Sequence, residues 1–303
     1  MNGVPAALSA SLLWGTADFL AGRATRTHPV VLVAFVGQFA GLIAMAVILA
    51  FHGVDDQALL PGAITGAFGI VGVTALYAAL GLGTMSIVAP IAATSAIVPV
   101  LWGIGDGERP GGLQWAGMIL ALAGVVLAAR EPSSGSSKNA RAAIRLAILA
   151  ALAIGVSLIF LDKAAEHDSL SGVAAARAVS APALGIAWLW LSRRGKTLRD
   201  EAVIGAAHPP VIVAEVPHPP ANDRRDVKLI AGLAGIGLLD TAANCAFALA
   251  TTNGLLSLVA VLGGLFPVVT VALAYFLLGE RLARPQRVGV VLALVGIPLI
   301  SAG

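Results

Sequence analysis

Between Asp56 and Asp106 the chain runs 49 residues without a charged side chain, and between Asp240 and Glu280 another 39. A helix crosses the hydrocarbon core of a bilayer in roughly 20 residues, so each run is long enough for two crossings joined by a turn. Lipid offers backbone amides no partner, which leaves helices or a closed barrel as the only spanning structures. Barrel strands alternate polar and apolar residues, and these runs do not. The expected fold is therefore an all-α integral membrane protein. With 58% hydrophobic and 12% charged residues among 303, the composition lies outside the soluble range. The first apolar run lacks a basic segment before it and reads as a retained span, not a cleaved signal. A lone cysteine, Cys245, excludes an intrachain disulfide framework.

Hydropathy and turn residues place ten spans at about 5–22, 29–51, 61–80, 86–105, 111–129, 143–161, 170–191, 229–250, 256–278 and 286–302. The breakers are Pro29, Asp55-Asp56, Pro61, Gly81 and Gly83, Pro110-Gly111-Gly112, and Asn253-Gly254. Residues 130–142 read as a flexible linker, and 192–228 as a basic, Pro-rich loop containing HPP twice. With ten spans, 16 of the 19 Lys and Arg residues fall on the side of the first inter-span loop. Arg109 and Lys163 lie opposite, and Arg177 lies inside a span. The positive-inside rule then puts both termini outside the cytoplasm. Basic loops facing cytosol and anionic lipid explain the surplus of positive charge without nucleic acid.

Residues 107–124 (GERPGGLQWAGMILALAG) match residues 279–296 (GERLARPQRVGVVLALVG) at nine positions without a gap. Upstream, Pro99 corresponds to Pro267, and Ile70, Thr74, Tyr77 and Gly81 align with Asp240, Asn244, Phe247 and Thr251. The chain therefore reads as two repeats, 1–129 and 143–303, around the linker. Five spans per copy is odd, so the copies must cross the bilayer in opposite senses. Inverted repeats are the architecture of alternating-access carriers, with a site near the midplane where the halves meet. Gly117 and Gly124, like Gly289 and Gly296, are seven apart and share a helix face suited to close packing.

Ten spans in two halves, Trp14-Gly15 in the first span, and the sets Pro99/Glu108/Gly117 and Pro267/Glu280/Gly289 resemble EamA-type transporters of the drug/metabolite transporter superfamily. The resemblance covers nearly the whole chain. It implies a basket of helices around a central cavity, made by spans 1, 3, 4, 6, 8 and 9, through which small metabolites or drugs move, more often outward. Family members often carry an arginine in the second span; Gln38 stands there, and Arg177 occupies the matching place in the seventh. The family habit of cytoplasmic termini conflicts with the charge count. Related small multidrug resistance proteins use a glutamate in the first span, where this chain has only Asp18.

Polar groups at membrane depth are the candidate site. Asp240 falls mid-span, where a carboxylate costs roughly 2.5–3.5 kcal/mol to insert. Gly237, Asp240, Asn244, Ala248 and Thr251 share one helical face. The expected substrate-binding residues are Asp240, Asn244, Tyr77, Trp14, Thr74 and Phe247, with Asp240 and Asp18 as proton-coupling candidates. Pro99 and Pro267, each freeing a backbone carbonyl, are expected hinges. Arg177 is expected to pair structurally with Asp162 or Glu166. Glu108 and Glu280 read as helix caps or surface pairs. The five histidines all fall in loops or at helix ends. Neither an HExxH helix nor a buried Ser/His pair exists, so no enzyme, metal or cofactor is expected, and no GxxxxGK[ST] loop couples the chain to ATP.

The expected function is a secondary transporter in a cell membrane, bacterial plasma membrane foremost, as monomer or homodimer in contact with lipid. Its substrate is expected to be a small, amino-acid-like or mostly apolar metabolite, with protons as coupling ion. The alternatives are a polyspecific drug exporter and a non-transporting membrane partner or sensor docked through 192–228.

Overall fold

The computed structural model describes residues 3–25, 27–82, 91–92, 94–128, 140–193, 223–278 and 283–302. Most of the linker, residues 194–222 with His208 and His218, and Glu280 lie outside the described residues. Every element within them is helical: α1 (Val4–Ala24), α2 (Val30–His52), α3 (Asp56–Leu82), a 3-10 turn (Thr94–Ala96), α4 (Ile97–Gly105), α5 (Gly112–Ala128), α6 (Ala140–Ala165), α7 (Ser169–Arg193), α8 (Asp223–Thr251), α9 (Leu256–Gly263), α10 (Phe266–Leu278) and α11 (Arg284–Ala302). Eight stretches are long and apolar enough to cross a membrane, α9 and α10 together making one of them. The helix ending at Gly105 and that covering Gly112–Leu127 are apolar but shorter. Large side chains such as Phe51, Leu60, Ile186 and Phe276 stand exposed on the outside, a surface that suits lipid and not water.

Several ends differ from the sequence reading for local reasons. Pro61 does not open the third span. The Asp55 side chain accepts the Gln57 N–H (2.9 Å) as an N-cap, so α3 starts at Asp56 and carries Pro61 inside it. The eighth helix begins at Asp223, within the stretch expected as loop. The ninth span is not continuous: it breaks at Gly264–Leu265, and Pro267 sits in the first turn of α10, where its missing N–H costs nothing. Pro99 likewise lies in the first turn of α4, after the 3-10 turn.

The helices pack in matched sets. α3 lies along α6 and α7, while α8 lies along α1 and α2; α2 packs on α7, α4 on α9, and α5 on α11. Exchanging the first five spans for the last five turns these pairings into one another. The α5–α11 contact uses the glycines of the repeat. A Cβ on Gly117 would sit 2.8 Å from the Gly296 carbonyl, and one on Gly124 would sit 2.7 Å from that of Gly289. The repeat's shared glutamine has one job in both copies: Gln114 Oε1 accepts the Gly111 N–H (2.7 Å) and Gln286 Oε1 the Ala283 N–H (2.8 Å). Each is a third-position side chain reaching back to cap its own helix.

One rim is laced by polar ties between the first and second halves. Glu108 accepts the backbone N–H groups of Leu256 (2.5 Å) and Ser257 (3.0 Å) at the start of α9. Lys163 reaches Asp106 (3.3 Å), Asp55 N–H donates to Ser171 Oγ (3.0 Å), and His52 Nε2 meets Asp168 Oδ1 (3.1 Å). Asp168 also accepts the Ser171 N–H (2.6 Å), capping α7. Burial alone would raise its pKa, but the hydrogen bonds from Ser171 and His52 outweigh that and hold it below the ordinary carboxylate value. A depressed carboxyl stabilises the fold above its unfolded pKa of about 3.9 and loses that contribution as pH falls through the folded value. Asp168→Ala should therefore cost about 1 kcal/mol at neutral pH, and the gap from wild type should close in acid. Thermal unfolding in detergent across pH checks this; a gap independent of pH would contradict the tie.

Candidate functional site

Helices that pack this closely leave room only where side chains are small, and that room lies at the centre of the bundle. A cavity of about 120 Å³ is bounded by α1, α2, α3, the 3-10 turn, α6, α7, α8 and the α9–α10 break. Its apolar wall includes Ile70, Val73, Leu158, Leu184 and Phe266, and the glycines Gly66, Gly69, Gly263 and Gly264 keep it open. Gly263 has both Phe247 and Trp14 within 3.4 Å of where a Cβ would stand.

The polar groups gather on one wall. Arg177, 7% exposed, places Nη2 2.8 Å from Asp240 Oδ2, while Asp240 itself is 27% exposed. That contact is one of charge without hydrogen-bonding alignment, and the Arg177 Nε has no partner. Arg177 Nη1 donates to Gln38 Oε1 (2.5 Å), which also accepts Ser180 Oγ–H (2.7 Å). Two amide groups approach Asp240 at long range, Gln38 Nε2 and Asn244 Nδ2, each at 3.4 Å. Asn244 is held better by the Asp240 backbone carbonyl (2.7 Å). Asp18, half-buried, faces the cavity from α1 and forms no hydrogen bond or ion pair with a described residue.

Of the residues expected from sequence, Trp14, Asp18, Thr74, Asp240 and Asn244 line this cavity. Phe247 and Tyr77 stand behind its wall. Phe247 is fully buried and packs on Trp14 with ring centroids 5.5 Å apart, and Tyr77 packs against Ala79, Ala21 and Val33. Ala248 is core, Gly237 meets α2, and Thr251 borders a second, acidic cavity of about 190 Å³ beside Glu108 and Asp162. The predicted stripe thus divides among four environments. Arg177 does not pair with Asp162 or Glu166: Glu166 is taken by Lys163 (2.6 Å), and the guanidinium turns inward to Asp240 and Gln38. Gln38, Arg177, Ser180, Thr65 and Ser157 are site residues that sequence reasoning did not select. Gln38 and Arg177 had a signal, since they occupy corresponding places in the two repeats.

A polytopic helical membrane protein with a charge-bearing chamber at its centre has the form of a membrane transporter. The EamA-like transporter family matches residues 1–130 and 141–302, and the chain belongs to that family, a branch of the drug/metabolite transporters. Among solved structures, one described only as "Crystal structure of protein" superposes with a TM-score of 0.69 at 17% identity, covering 99% of this chain and 96% of that one. This likeness shows the fold alone. No curated protein matches.

Proposed function

We propose that this protein is a secondary transporter that moves a small, amino-acid-like or largely apolar metabolite by alternating access, outward across the plasma membrane. The observation that carries the reading is the central chamber, with one ion pair and a further carboxylate, Asp18, that has no ion pair among the described residues, set among neutral polar and apolar side chains. Charges at this depth are costly and are kept where they face a pathway or a partner. Asp240 faces the Arg177 guanidinium, so the cationic end of a substrate is assigned to Asp18, which would give up a proton to receive it. The reading takes residues 1–129 and 143–303 as inverted five-helix repeats, consistent with pairings that interchange when the halves are swapped. It also takes the rim of Glu108 as closed and external, consistent with the inter-half ties there and the basic residues at the other end.

The test is a metabolite screen in proteoliposomes under an imposed pH gradient. Gradient-driven flux of a small amine or amino acid is expected. Asp18→Asn should retain residual flux while losing its pH dependence; unaltered pH dependence removes Asp18 from the coupling. Polyspecific export of organic cations is the second reading, favoured by the same unpaired Asp18. It would appear as resistance to chemically unrelated cationic compounds in cells expressing the protein.

A further inference from the structure

The two members of the chamber's ion pair are held very differently. Arg177 is buried and anchored through Gln38, whose Oε1 takes both the Nη1 hydrogen bond and that of Ser180. Asp240 is the more exposed partner, and its side chain has only two amide contacts, both 3.4 Å long. The guanidinium is also underused: Nε lacks a partner and Nη2 has a charge contact alone. A guanidinium offers five donors in a fork that fits a carboxylate bidentately, and it does not deprotonate. It therefore needs an anion beside it at all times, whereas Asp240 can be neutralised by a proton.

We infer that Arg177 is the anchor for a substrate carboxylate, and that Asp240 is its exchangeable counter-ion. In the empty chamber Asp240 balances Arg177. When Asp240 takes a proton from chamber water, the substrate's carboxylate replaces it on the guanidinium, and the local charge is unchanged. A carboxylate arriving without the proton, or the proton without the carboxylate, leaves a charge unbalanced in a low-dielectric wall. Binding of the two is therefore mutually reinforcing. The inference rests on the central chamber being the transport site, and it adds a chemical class: ligands bearing a carboxylate, alone or in a zwitterion. The charged and titratable groups around the pair are Asp18 from α1, Tyr77 from α3 and Cys245 from α8 itself; Gln38 on α2 and Ser180 on α7 are neutral. Among the described residues, Asp240 is the carboxylate in contact with Arg177.

The experiment is calorimetric binding to the purified, detergent-solubilised protein in buffers of different ionisation enthalpy. The probes are leucine, its methyl ester, isopentylamine and 4-methylvalerate. 4-Methylvalerate should bind with uptake of about one proton, leucine should show the same uptake in an Asp18→Asn background where its ammonium displaces no proton, and the ester and amine should bind about tenfold or more weakly. Leucine with 4-methylvalerate inactive identifies a zwitterion; both active identifies a simple carboxylate site, and each supports the role of Arg177. Asp240→Asn should bind the carboxylate without proton uptake. Because Arg177→Gln alone strands Asp240, the double variant Arg177→Gln/Asp240→Asn is the sharper test. It keeps the wall neutral and should lose the preference of acid over ester. Retention of that preference, or 4-methylvalerate binding without proton uptake in wild type, overturns the inference. If only the amine or ester binds, the carboxylate role falls and the transport site stands; if no probe binds or moves, both fall.

Discussion

Gly237→Val should destabilise the protein by about 3 kcal/mol and separate Gln38 from Asp240. At this crossing of α2 and α8, a Cβ on Gly237 would fall on the Cα and carbonyl oxygen of Gly37. The obstacle is backbone, so no rotamer change relieves it, and the helices must part. Gln38 follows Gly37 directly and Asp240 stands one turn beyond Gly237, so the displacement reaches the ion pair's supports. The reverse substitution is milder, because a Cβ on Gly37 would lie 3.2 Å from the Gly237 Cα. Gly235, on the same helix, has nothing within 4 Å of its Cβ position and serves as the control: Gly235→Val should stay within about 0.5 kcal/mol of wild type. Unfolding of the reconstituted protein by SDS titration measures both. If the two valine variants unfold alike, the close crossing is absent.

The all-helical character was legible because lipid imposes one strong rule, that long uncharged runs must be helices, and eight stretches are long and apolar enough to cross a membrane. The repeat was legible because identical residues do identical jobs, as Gln114 and Gln286 do at their helix starts. The glycine spacing marked a face suited to close packing, and that face meets α11, where Gly117 lies against Gly296 and Ile300 and Gly124 against Gly289 and Ala293. What the sequence concealed depends on rotation and tilt. Asp240 and Phe247 sit seven residues apart on one nominal face, yet one borders the chamber and the other is wholly buried behind Trp14. Helix periodicity assigns a side, not a depth behind that side. The partner of Arg177 was concealed for a related reason: loop carboxylates are nearer in sequence, but the side chain follows the interior, where burial makes a counter-ion worth most. The break at Gly264–Leu265, in a span expected to be continuous over 256–278, had a visible cause in Gly263-Gly264 followed by Pro267.

Glu108→Ala should cost about 2–4 kcal/mol and expose α9 to solution from the rim that Glu108 closes. The carboxylate bridges from the α4–α5 turn to the first amides of a helix 148 residues away, and no helical carbonyl can take its place there. Every residue of α9 is buried, and the helix packs on α4 and α1 directly between this rim and the chamber. Gly103 permits the arrangement, since a Cβ there would strike the Glu108 carboxylate. Removing the clasp frees the amides of Leu256 and Ser257 and loosens a buried helix that lies between the rim and the chamber. The readout is labelling of Val259→Cys by a membrane-impermeant maleimide, in a Cys245→Ser background so that no other thiol reacts. Wild-type Glu108 should protect the introduced cysteine, Glu108→Ala should expose it, and Glu108→Gln, which keeps one acceptor oxygen, should fall between. Equal labelling in all three would mean that the rim is held by its surface ties, Lys163–Asp106 and His52–Asp168, or by apolar packing around α9, with Glu108 contributing stability and no gating.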